Sequence, residues 1–154
     1  KQRARQSVFW IDALMLVSLL YVSQPTGPVT TTVTSSILRG SIAHNKSQNI
    51  TGVLCQGTGL YMQVLEGERS SVTQLFYRIV ADPRHHKVEL ISLEEIQKRR
   101  FAPWSMNLVH INVNEPMFKL NHPEFNPYFS TAQEAMLIFE ELVETGWPIV
   151  ALDT

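Results

Sequence analysis

The segment Gly52–Gly67 most constrains how this chain can fold. Two apolar runs of strand-forming residues flank the short link Gly57-Thr58-Gly59, and this pattern predicts a β-hairpin. Gln63 lies in the middle of the second run, where alternation along a strand puts it on one face with Tyr61 and Leu65. Both faces are apolar, so we expect the Gln63 amide to be buried. Because an unpaired buried amide group costs about 1–3 kcal/mol, Gln63 needs a partner in the protein or in a ligand.

Composition predicts one domain. The chain has 154 residues, 44% of them hydrophobic and 18% charged, which is enough for one packed core and too little for two. The formal net charge is -1 and the basic run Lys98-Arg99-Arg100 is interpreted as a solvated loop, so we expect no nucleic-acid partner. The one cysteine, Cys55, lies in an apolar strand. It permits no internal disulfide and predicts a reducing, cytoplasmic location.

The N-terminus superficially resembles a signal peptide, with basic residues before the apolar run Ala13–Val22. We reject that interpretation because Asp12 interrupts the pattern and the run is about half as long as a membrane-spanning helix. A first strand over Leu14–Ser23, which carries Tyr21, explains the run better. Residues 1–14 are then an upstream extension or an expression remnant, and we expect no membrane partner.

The rest of the chain alternates helical and strand patterns. We predict a first helix over Val33–Ile42 that ends near His44-Asn45, a second strand over Ile50–Cys55, a second helix from Val72 to Val80, a fourth strand over Val88–Leu93 and a fifth over Trp104–Ile111. With the hairpin, the order is β-α-β-β-α-β-β. This is the split βαβ pattern of a ferredoxin-like α+β sandwich, whose two helices share one sheet face.

The opposite sheet face needs a cover of its own. Its predicted side chains, such as Leu20, Val22 and Met62, are too apolar to face water. Near the C-terminus, apolar residues recur at helical spacing and stop before Gly146 and Pro148. The apolar positions are Ala135, Met136, Phe139, Leu142 and Val143. We expect this helix, or a partner subunit, to cover the face.

Motifs of common enzymes are missing from the sequence. There is no P-loop, dinucleotide-binding glycine pattern or nucleophile elbow. His85-His86 lacks the spacing of paired ligands and no cysteine pair accompanies it, so we predict no metal site. Glu66 and Glu68 are interpreted as loop or helix-terminal carboxylates without the pairing that acid–base catalysis needs. An ordinary hydrolase is therefore not expected, and we assign no catalytic residue.

Polar side chains set among apolar ones remain to be explained. They are Tyr21, Asn45, Gln63, Arg84 and His85. The residues alone favour a hydrogen-bonded core network over a ligand site. In a split βαβ sandwich, however, the first and third strands are neighbours, so Tyr21 and Gln63 can meet beneath the cleft between the helices. A planar heterocycle with imide edges would satisfy the whole set.

Several motifs, taken in order, resemble one known family. They are Leu20-Tyr21-Val22-Ser23, Ala43-His44-Asn45, Ile50-Thr51-Gly52-Val53-Leu54, Met62-Gln63-Val64-Leu65-Glu66-Gly67, Asp82-Pro83-Arg84-His85 and Arg100-Phe101-Ala102-Pro103-Trp104-Ser105-Met106. Together they resemble the BLUF family of blue-light sensors that use FAD, over about Leu14–Val109. The ferredoxin-like fold of that family, with flavin between the two helices, agrees with the predicted order of elements.

The resemblance implies how each residue contacts the flavin. Asn45 would pair with the imide edge of the ring, Arg84 would reach a ring carbonyl and His85 would pack beside the ring. Ile37 and Leu65 would form apolar walls. FAD is the implied cofactor, with FMN or riboflavin as alternatives.

The resemblance also implies a photoswitch. Gln63 would bond to the flavin and to Tyr21, which would donate an electron and then a proton after excitation. The Gln63 side chain would rotate or tautomerise, and the new hydrogen-bond network would relax in the dark. Trp104 and Met106, placed on one face of the fifth strand, would alternate as neighbours of Gln63, and the sequence does not decide which of them is inward in the dark.

The complete interpretation is a short, stand-alone photoreceptor that is not an enzyme. Residues 15–111 would form the flavin-binding domain and residues 112–154 a C-terminal loop and helical cap. Only about 45 residues follow the matched region, too few for an effector domain such as a cyclase, so we expect a downstream protein partner and a homo-oligomer. The alternative is a flavin-dependent or acylphosphatase-like enzyme on the same fold.

Overall fold

The computed structural model of the protein describes residues 15–57, 59–110, 122–145 and 147–149, the last three as backbone only. The strands are β1 (Leu16–Pro25), β2 (Thr51–Gly57), β3 (Leu60–Glu68), β4 (His85–Glu95), β5 (Asn107–His110) and β6 (Trp147–Ile149). The helices are α1 (Thr31–Ser47), α2 (Arg69–Ala81) and α3 (Ala132–Thr145), with a 3₁₀ turn at Pro127–Phe129. The predicted order of elements is confirmed, and β6 is an addition that the sequence analysis did not predict.

The six strands form one sheet in the order β4-β1-β3-β2-β5-β6. β1 and β3 are antiparallel neighbours, and their register places Tyr21 directly opposite Gln63. β5 runs parallel to β2, whereas β6 pairs antiparallel with β5. The ferredoxin-like α+β prediction is confirmed, including the adjacency of the first and third strands.

A glycine in β2 allows the backbone of the hairpin to pack closely. A Cβ atom on Gly52 would lie 2.4 Å from the carbonyl oxygen of Val64 and 3.5 Å from Cε of Met106. No other residue fits there without displacing β3. The Gly52 amide also donates to the carbonyl of Trp104 at 3.0 Å, which holds the segment before β5 against β2.

Two apolar cores lie on opposite faces of the sheet. The first, beneath α1 and α2, contains Val17, Leu19 and Tyr21 of β1. The second contains Leu20 and Val22 together with the α3 residues Ala135, Met136, Ile138, Phe139 and Leu142. The prediction that the C-terminal helix covers the opposite face is therefore confirmed.

Several predicted strand boundaries differ from the observed ones, including the end of β1 at Pro25 instead of Ser23 and the bounds of β2, Thr51–Gly57 instead of Ile50–Cys55. β1 begins at Leu16, and the predicted start at Leu14 lies outside the described residues. β4 begins at His85 instead of Val88 and continues to Glu95. A shift of register between Leu20 and Tyr21 accommodates this longer edge strand against β1.

The prediction that Trp104 and Met106 share a face of the fifth strand is wrong. β5 begins only at Asn107, and the predicted end at Ile111 lies outside the described residues. The segment before it is a turn, closed by a 3.0 Å hydrogen bond from the Trp104 amide to the Phe101 carbonyl. Because a turn does not alternate its side chains as a strand does, Trp104 and Met106 can face different cores.

α1 begins at a side-chain hydrogen bond. The Thr30 hydroxyl accepts a hydrogen bond from the Val33 amide at 3.2 Å, a standard N-terminal cap. The helix continues past the predicted end to Ser47.

α3 is described to Thr145, so the predicted end at Gly146 lies outside the described residues. Within the described residues, no helix is long and apolar enough to cross a membrane.

Candidate functional site

The centre of the site is a hydrogen bond between Tyr21 and Gln63. The Tyr21 hydroxyl donates to Oε1 of Gln63, and both side chains are buried, at 4% and 5% exposure. Burial raises the pKa of the Tyr21 phenol well above its ordinary value, and the nearby Asp82 charge adds to this. The phenol is therefore a neutral donor at physiological pH, and the neighbours expected from the sequence are in contact.

The nitrogen end of the Gln63 amide faces Met106. Nε2 of Gln63 lies 3.3 Å from the Met106 sulfur, and Met106 is 1% exposed. Trp104 instead packs, half-buried, against the core beneath α3. The structure thus places Met106 next to Gln63 and Trp104 away from it, an alternative that the sequence analysis left open.

Asn45, near the C-terminus of α1, has one amide end paired and the other unpaired. Its Nδ2 donates to the Ser105 carbonyl at 2.7 Å, while its backbone carbonyl accepts from the Ile50 amide at 2.8 Å. Its Oδ1 is buried and has no hydrogen-bond partner among the described residues. Since buried amide oxygens are normally paired, this atom marks a place where a ligand N–H fits.

A cavity of about 260 Å³ lies above these groups between α1 and α2. This is close to the lower end of the range of ligand pockets, about 300–1,000 Å³. All predicted cofactor contacts line it. These are Tyr21, Ile37, Asn45, Gln63, Leu65, Arg84 and His85, and Met106 joins them whereas Trp104 does not. The chemistry of the lining, apolar walls with convergent amides, fits the flat ring and imide edge of a flavin.

Arg84 and Asp82 form an ion pair at one end of the cavity. The Arg84 Nε lies 3.0 Å from both Asp82 carboxylate oxygens, and Nη2 donates to Oδ2 at 2.6 Å. These bonds lower the pKa of Asp82 and raise that of Arg84. Nη1 of Arg84 is not used by this pair, so the guanidinium retains a donor while the carboxylate fixes its orientation.

His85 is fixed by bonds at both ring nitrogens. Nδ1 lies 2.8 Å from the Ser23 hydroxyl, and Nε2 contacts the Ile79 carbonyl. Its ring meets the Tyr21 ring edge-on with centroids 6.3 Å apart. His85 therefore supports the position of Tyr21 as well as lining the cavity.

The sequence analysis misjudged Glu66. It is fully buried on β3, on the face toward α3, and is not a loop carboxylate. Oε1 accepts from the Thr51 hydroxyl and the Phe101 amide, each at 3.0 Å, and Oε2 accepts from the Arg100 amide at 2.7 Å. The strand pattern could have predicted this burial, because Glu66 lies on the same face of β3 as Met62 and Val64.

The basic run is also more structured than predicted. Arg99 donates through Nη1 to the Thr51 hydroxyl and the Glu66 carbonyl, both at 2.9 Å, and through Nη2 to the Asn49 carbonyl at 2.7 Å. Arg100 pairs with Glu140 of α3. The run is a loop as predicted, with Lys98 and Arg100 exposed, but its two arginines also attach the turn before β5 to the sheet and to α3.

Other lining residues were not among the predicted contacts. They are Gly40, Ser41, His44, Leu54, Tyr61, Leu75, Arg78, Ile79 and Asp82. Helical spacing could have found several, because positions 37, 40, 41 and 44 share one face of α1 and positions 75, 78, 79 and 82 follow one face of α2. No group of three or more possible metal ligands occurs in the part of the chain that the structure describes.

Comparison with known proteins decides the family. Residues 16–107 match the family model described as BLUF, sensors of blue-light using FAD. The chain belongs to the BLUF family. The photoactivated adenylate cyclase subunit beta of Euglena gracilis is 37% identical over 92 residues, which are 59% of this chain and 11% of that protein. The chain thus corresponds to only about a tenth of the length of the curated relatives it matches.

Solved BLUF structures match more of the chain. The ground-state structure of BlsA has a TM-score of 0.79 and 30% identity, covering 91% of this chain and 95% of that one. The dark-state structure of the BLUF protein BlrB has a TM-score of 0.70 and 30% identity, covering 84% and 96%. The protein is therefore a flavin-binding blue-light sensor of this family.

Proposed function

We propose that the protein is a FAD-binding photoreceptor in which Tyr21 and Gln63 form the photoswitch. The observation that carries the proposal is the buried chain of contacts from Tyr21 through Gln63 to Met106 beneath the cavity. Asn45 also lines this cavity, and its buried amide oxygen has no partner among the described residues. Asn45 Oδ1 would accept from the flavin imide and Arg84 would donate to a ring carbonyl. Ile37 and Leu65 would form the walls, with His85 packed beside the ring.

The switch depends on the direction of the Gln63 amide. When bound, a flavin would supply absorption of blue light and, once excited, an electron acceptor. Tyr21 would give the electron, its hydroxyl proton would pass to the Gln63 oxygen to which it already donates, and a Gln63 N–H proton would pass on to the flavin. Gln63 would rotate or tautomerise before the electron and a proton return to Tyr21, so no covalent bond would be made to the protein.

Met106 couples the switch to the rest of the chain. Its thioether can accept a hydrogen bond but cannot donate one, so rotation that turns the Gln63 oxygen toward it removes the 3.3 Å contact. Met106 ends the turn that begins at Phe101, and Phe101 meets Phe139 of α3 with ring centroids 5.8 Å apart. Displacement of Met106 would therefore reach the helix on the other face of the sheet. Trp104, which packs against the core beneath α3, would move to replace Met106 as the neighbour of Gln63.

The output of this switch would be a change of protein contacts and not a chemical reaction. We propose residues 15–111 as the flavin-binding unit, 112–154 as its loop and cap, and 1–14 as an extension. The signal would pass to a downstream protein, with no nucleic acid or membrane involved. Exposed Leu90 and Leu93 on the edge strand β4 support a homo-oligomer, and the buried free thiol of Cys55 supports a cytoplasmic location.

One spectroscopic experiment tests the function. Protein purified in the dark should carry a flavin, identified by chromatography after release as FAD rather than FMN or riboflavin. Blue light should shift its visible absorption to longer wavelength, and the shift should reverse in the dark. A protein that retains no flavin, or whose bound flavin bleaches without a reversible shift, would contradict the proposal.

A further inference from the structure

The mouth of the cavity carries a basic pair that the ring-binding residues do not explain. Arg78 of α2 reaches across to His44 of α1, with Nη1 lying 3.0 Å from Nδ1 of the imidazole. Both residues line the cavity. The pair therefore bridges the two helices that flank the cavity.

The charge of this bridge is uncompensated. Within the described ranges, Arg78 forms no ion pair with a carboxylate. The nearest acidic residue of the lining, Asp82, is already bonded to Arg84. Desolvation and the Arg78 charge lower the pKa of His44, so the pair as it stands is a cation beside a neutral imidazole. Among the described residues, no anion balances the positive charge of Arg78.

The α1 side of the cavity leaves open space one helical turn before His44. Gly40 lies in the interior of α1, where glycine is less favourable than alanine. A Cβ atom there would meet nothing within 4 Å, and Gly40 and Ser41 both line the cavity. The absent side chain keeps a channel open alongside the helix, directly next to His44.

We propose that Arg78 and His44 bind the phosphate of a flavin nucleotide, so that the protein prefers phosphorylated flavins to riboflavin. This rests on the proposed flavin-binding function and adds a second binding site to it. A guanidinium matches a phosphate through two parallel N–H···O bonds, and the imidazole supplies a further donor. The ring would be held below by Asn45 and Gln63 and its phosphate above by the bridge.

Riboflavin and FMN differ by the phosphate alone, so their release rates test the proposal. The full-length protein, loaded with either flavin, is diluted and flavin release is followed by the recovery of its fluorescence. At low salt we expect FMN to leave about fivefold more slowly than riboflavin, the size of an exposed charge interaction. Raising the salt concentration should remove most of this difference.

Variants test whether the difference in release rate between FMN and riboflavin originates in the Arg78–His44 pair. Arg78→Gln should make FMN leave as fast as riboflavin without changing riboflavin release, and Arg78→Lys should restore part of the difference. Arg39→Gln removes the same charge from an exposed position of α1 outside the cavity and should leave the ratio unchanged. Equal release of the two flavins from the unaltered protein, or a ratio that survives Arg78→Gln, would overturn the inference. A protein that binds neither flavin would instead overturn the proposed function.

Discussion

The two faces of the sheet bury polar side chains in opposite ways. Gln63 and Glu66 lie three residues apart on β3 and point to opposite faces. On the α3 face, both carboxylate oxygens of Glu66 are fully paired, with a hydroxyl and two backbone amides. On the other face, Oδ1 of Asn45 has no partner in the part of the chain that the structure describes, and the Gln63 amide borders a cavity.

This difference separates residues that hold the fold from residues that hold a ligand. A buried polar group with all its bonds made by the protein stabilises one arrangement of the chain. A buried group with bonds left over, next to a cavity, is completed by something else. The segment between Phe101 and Met106 joins the two faces, since its first residue packs under α3 and its last contacts Gln63.

The largest expected effect comes from removing the Tyr21 hydroxyl. Tyr21→Phe keeps the ring and its packing. It leaves the side-chain oxygen of Gln63 without its hydrogen bond, which lowers the free energy of unfolding by about 1 kcal/mol. We expect flavin retention but complete loss of the reversible shift in the light-minus-dark spectrum. Gln63→Leu should behave in the same way.

Tyr61→Phe is the matched control for Tyr21→Phe. Tyr61 also lines the cavity and is buried at 5% exposure, but its hydroxyl does not bond to Gln63. The control should keep a normal light response. If Tyr21 were only part of a core network, Tyr21→Phe would lower stability and keep the red shift, and that result would remove the switch from this residue.

The second prediction concerns the α3 face. Glu66→Gln keeps the volume but presents an NH₂ group to a backbone amide that now donates to the carboxylate. We expect the free energy of unfolding to fall by about 3 kcal/mol, since bonds to a buried charge are lost. Urea denaturation measures this, and the light response of the folded fraction should be unchanged.

The control for Glu66→Gln is Glu94→Gln, which removes the same charge from an exposed site on β4. Its effect on stability should stay within about 0.5 kcal/mol. Equal destabilisation by both substitutions would mean that net charge, not the buried bonds of Glu66, stabilises this face.

Sequence patterns predicted the fold well because apolar alternation and helical spacing are local signals. The β1–β3 pairing, the helices over one face and α3 over the other all followed from them. Glu66 was misjudged because its partners, Thr51 and the amides after Arg99, are distant in sequence. No local pattern reports that a carboxylate will meet three donors on folding.

The site was predicted largely through family motifs, and its remaining members depend on tertiary geometry. Asn45 and Gln63 stand out as amides in apolar surroundings, whereas His44 and Arg78 look like ordinary exposed helix residues. Only the approach of α1 to α2 brings that pair within 3.0 Å. The positions of Trp104 and Met106 likewise depended on a turn that the strand pattern concealed.

The third prediction concerns Asn45, on the sheet face that borders the cavity. Asn45→Ala removes the acceptor that we propose for the flavin imide, together with the donor to the Ser105 carbonyl. We expect flavin affinity to fall by about 2 kcal/mol, or roughly thirtyfold, in titrations of flavin into flavin-free protein. Asn49→Ala, at an exposed position after α1, should leave affinity unchanged, and full flavin occupancy with unaltered affinity in Asn45→Ala would contradict the assignment.

The smallest expected effect is a loss of stability at alkaline pH that originates in Tyr21. Burial raises the pKa of this phenol in the folded protein, while in the unfolded chain it keeps its ordinary value of about 10. Above that pH the unfolded state binds fewer protons than the folded state, so stability falls as pH rises; below it, Tyr21 contributes no pH dependence. One pH unit above the unfolded-state pKa, the loss of stability amounts to about 1.4 kcal/mol.

The measurement compares urea unfolding of the protein and of Tyr21→Phe from pH 9 upward. Burial also raises the pKa values of Cys55, Tyr61 and Tyr128, but their contributions are the same in both proteins and cancel in the difference. The stability gap between the two proteins should close as pH rises, because only the unaltered protein has a phenol to ionise at this site. Parallel curves would mean that Tyr21 is in contact with water, and the cavity face would then be open at its base as well as at its mouth.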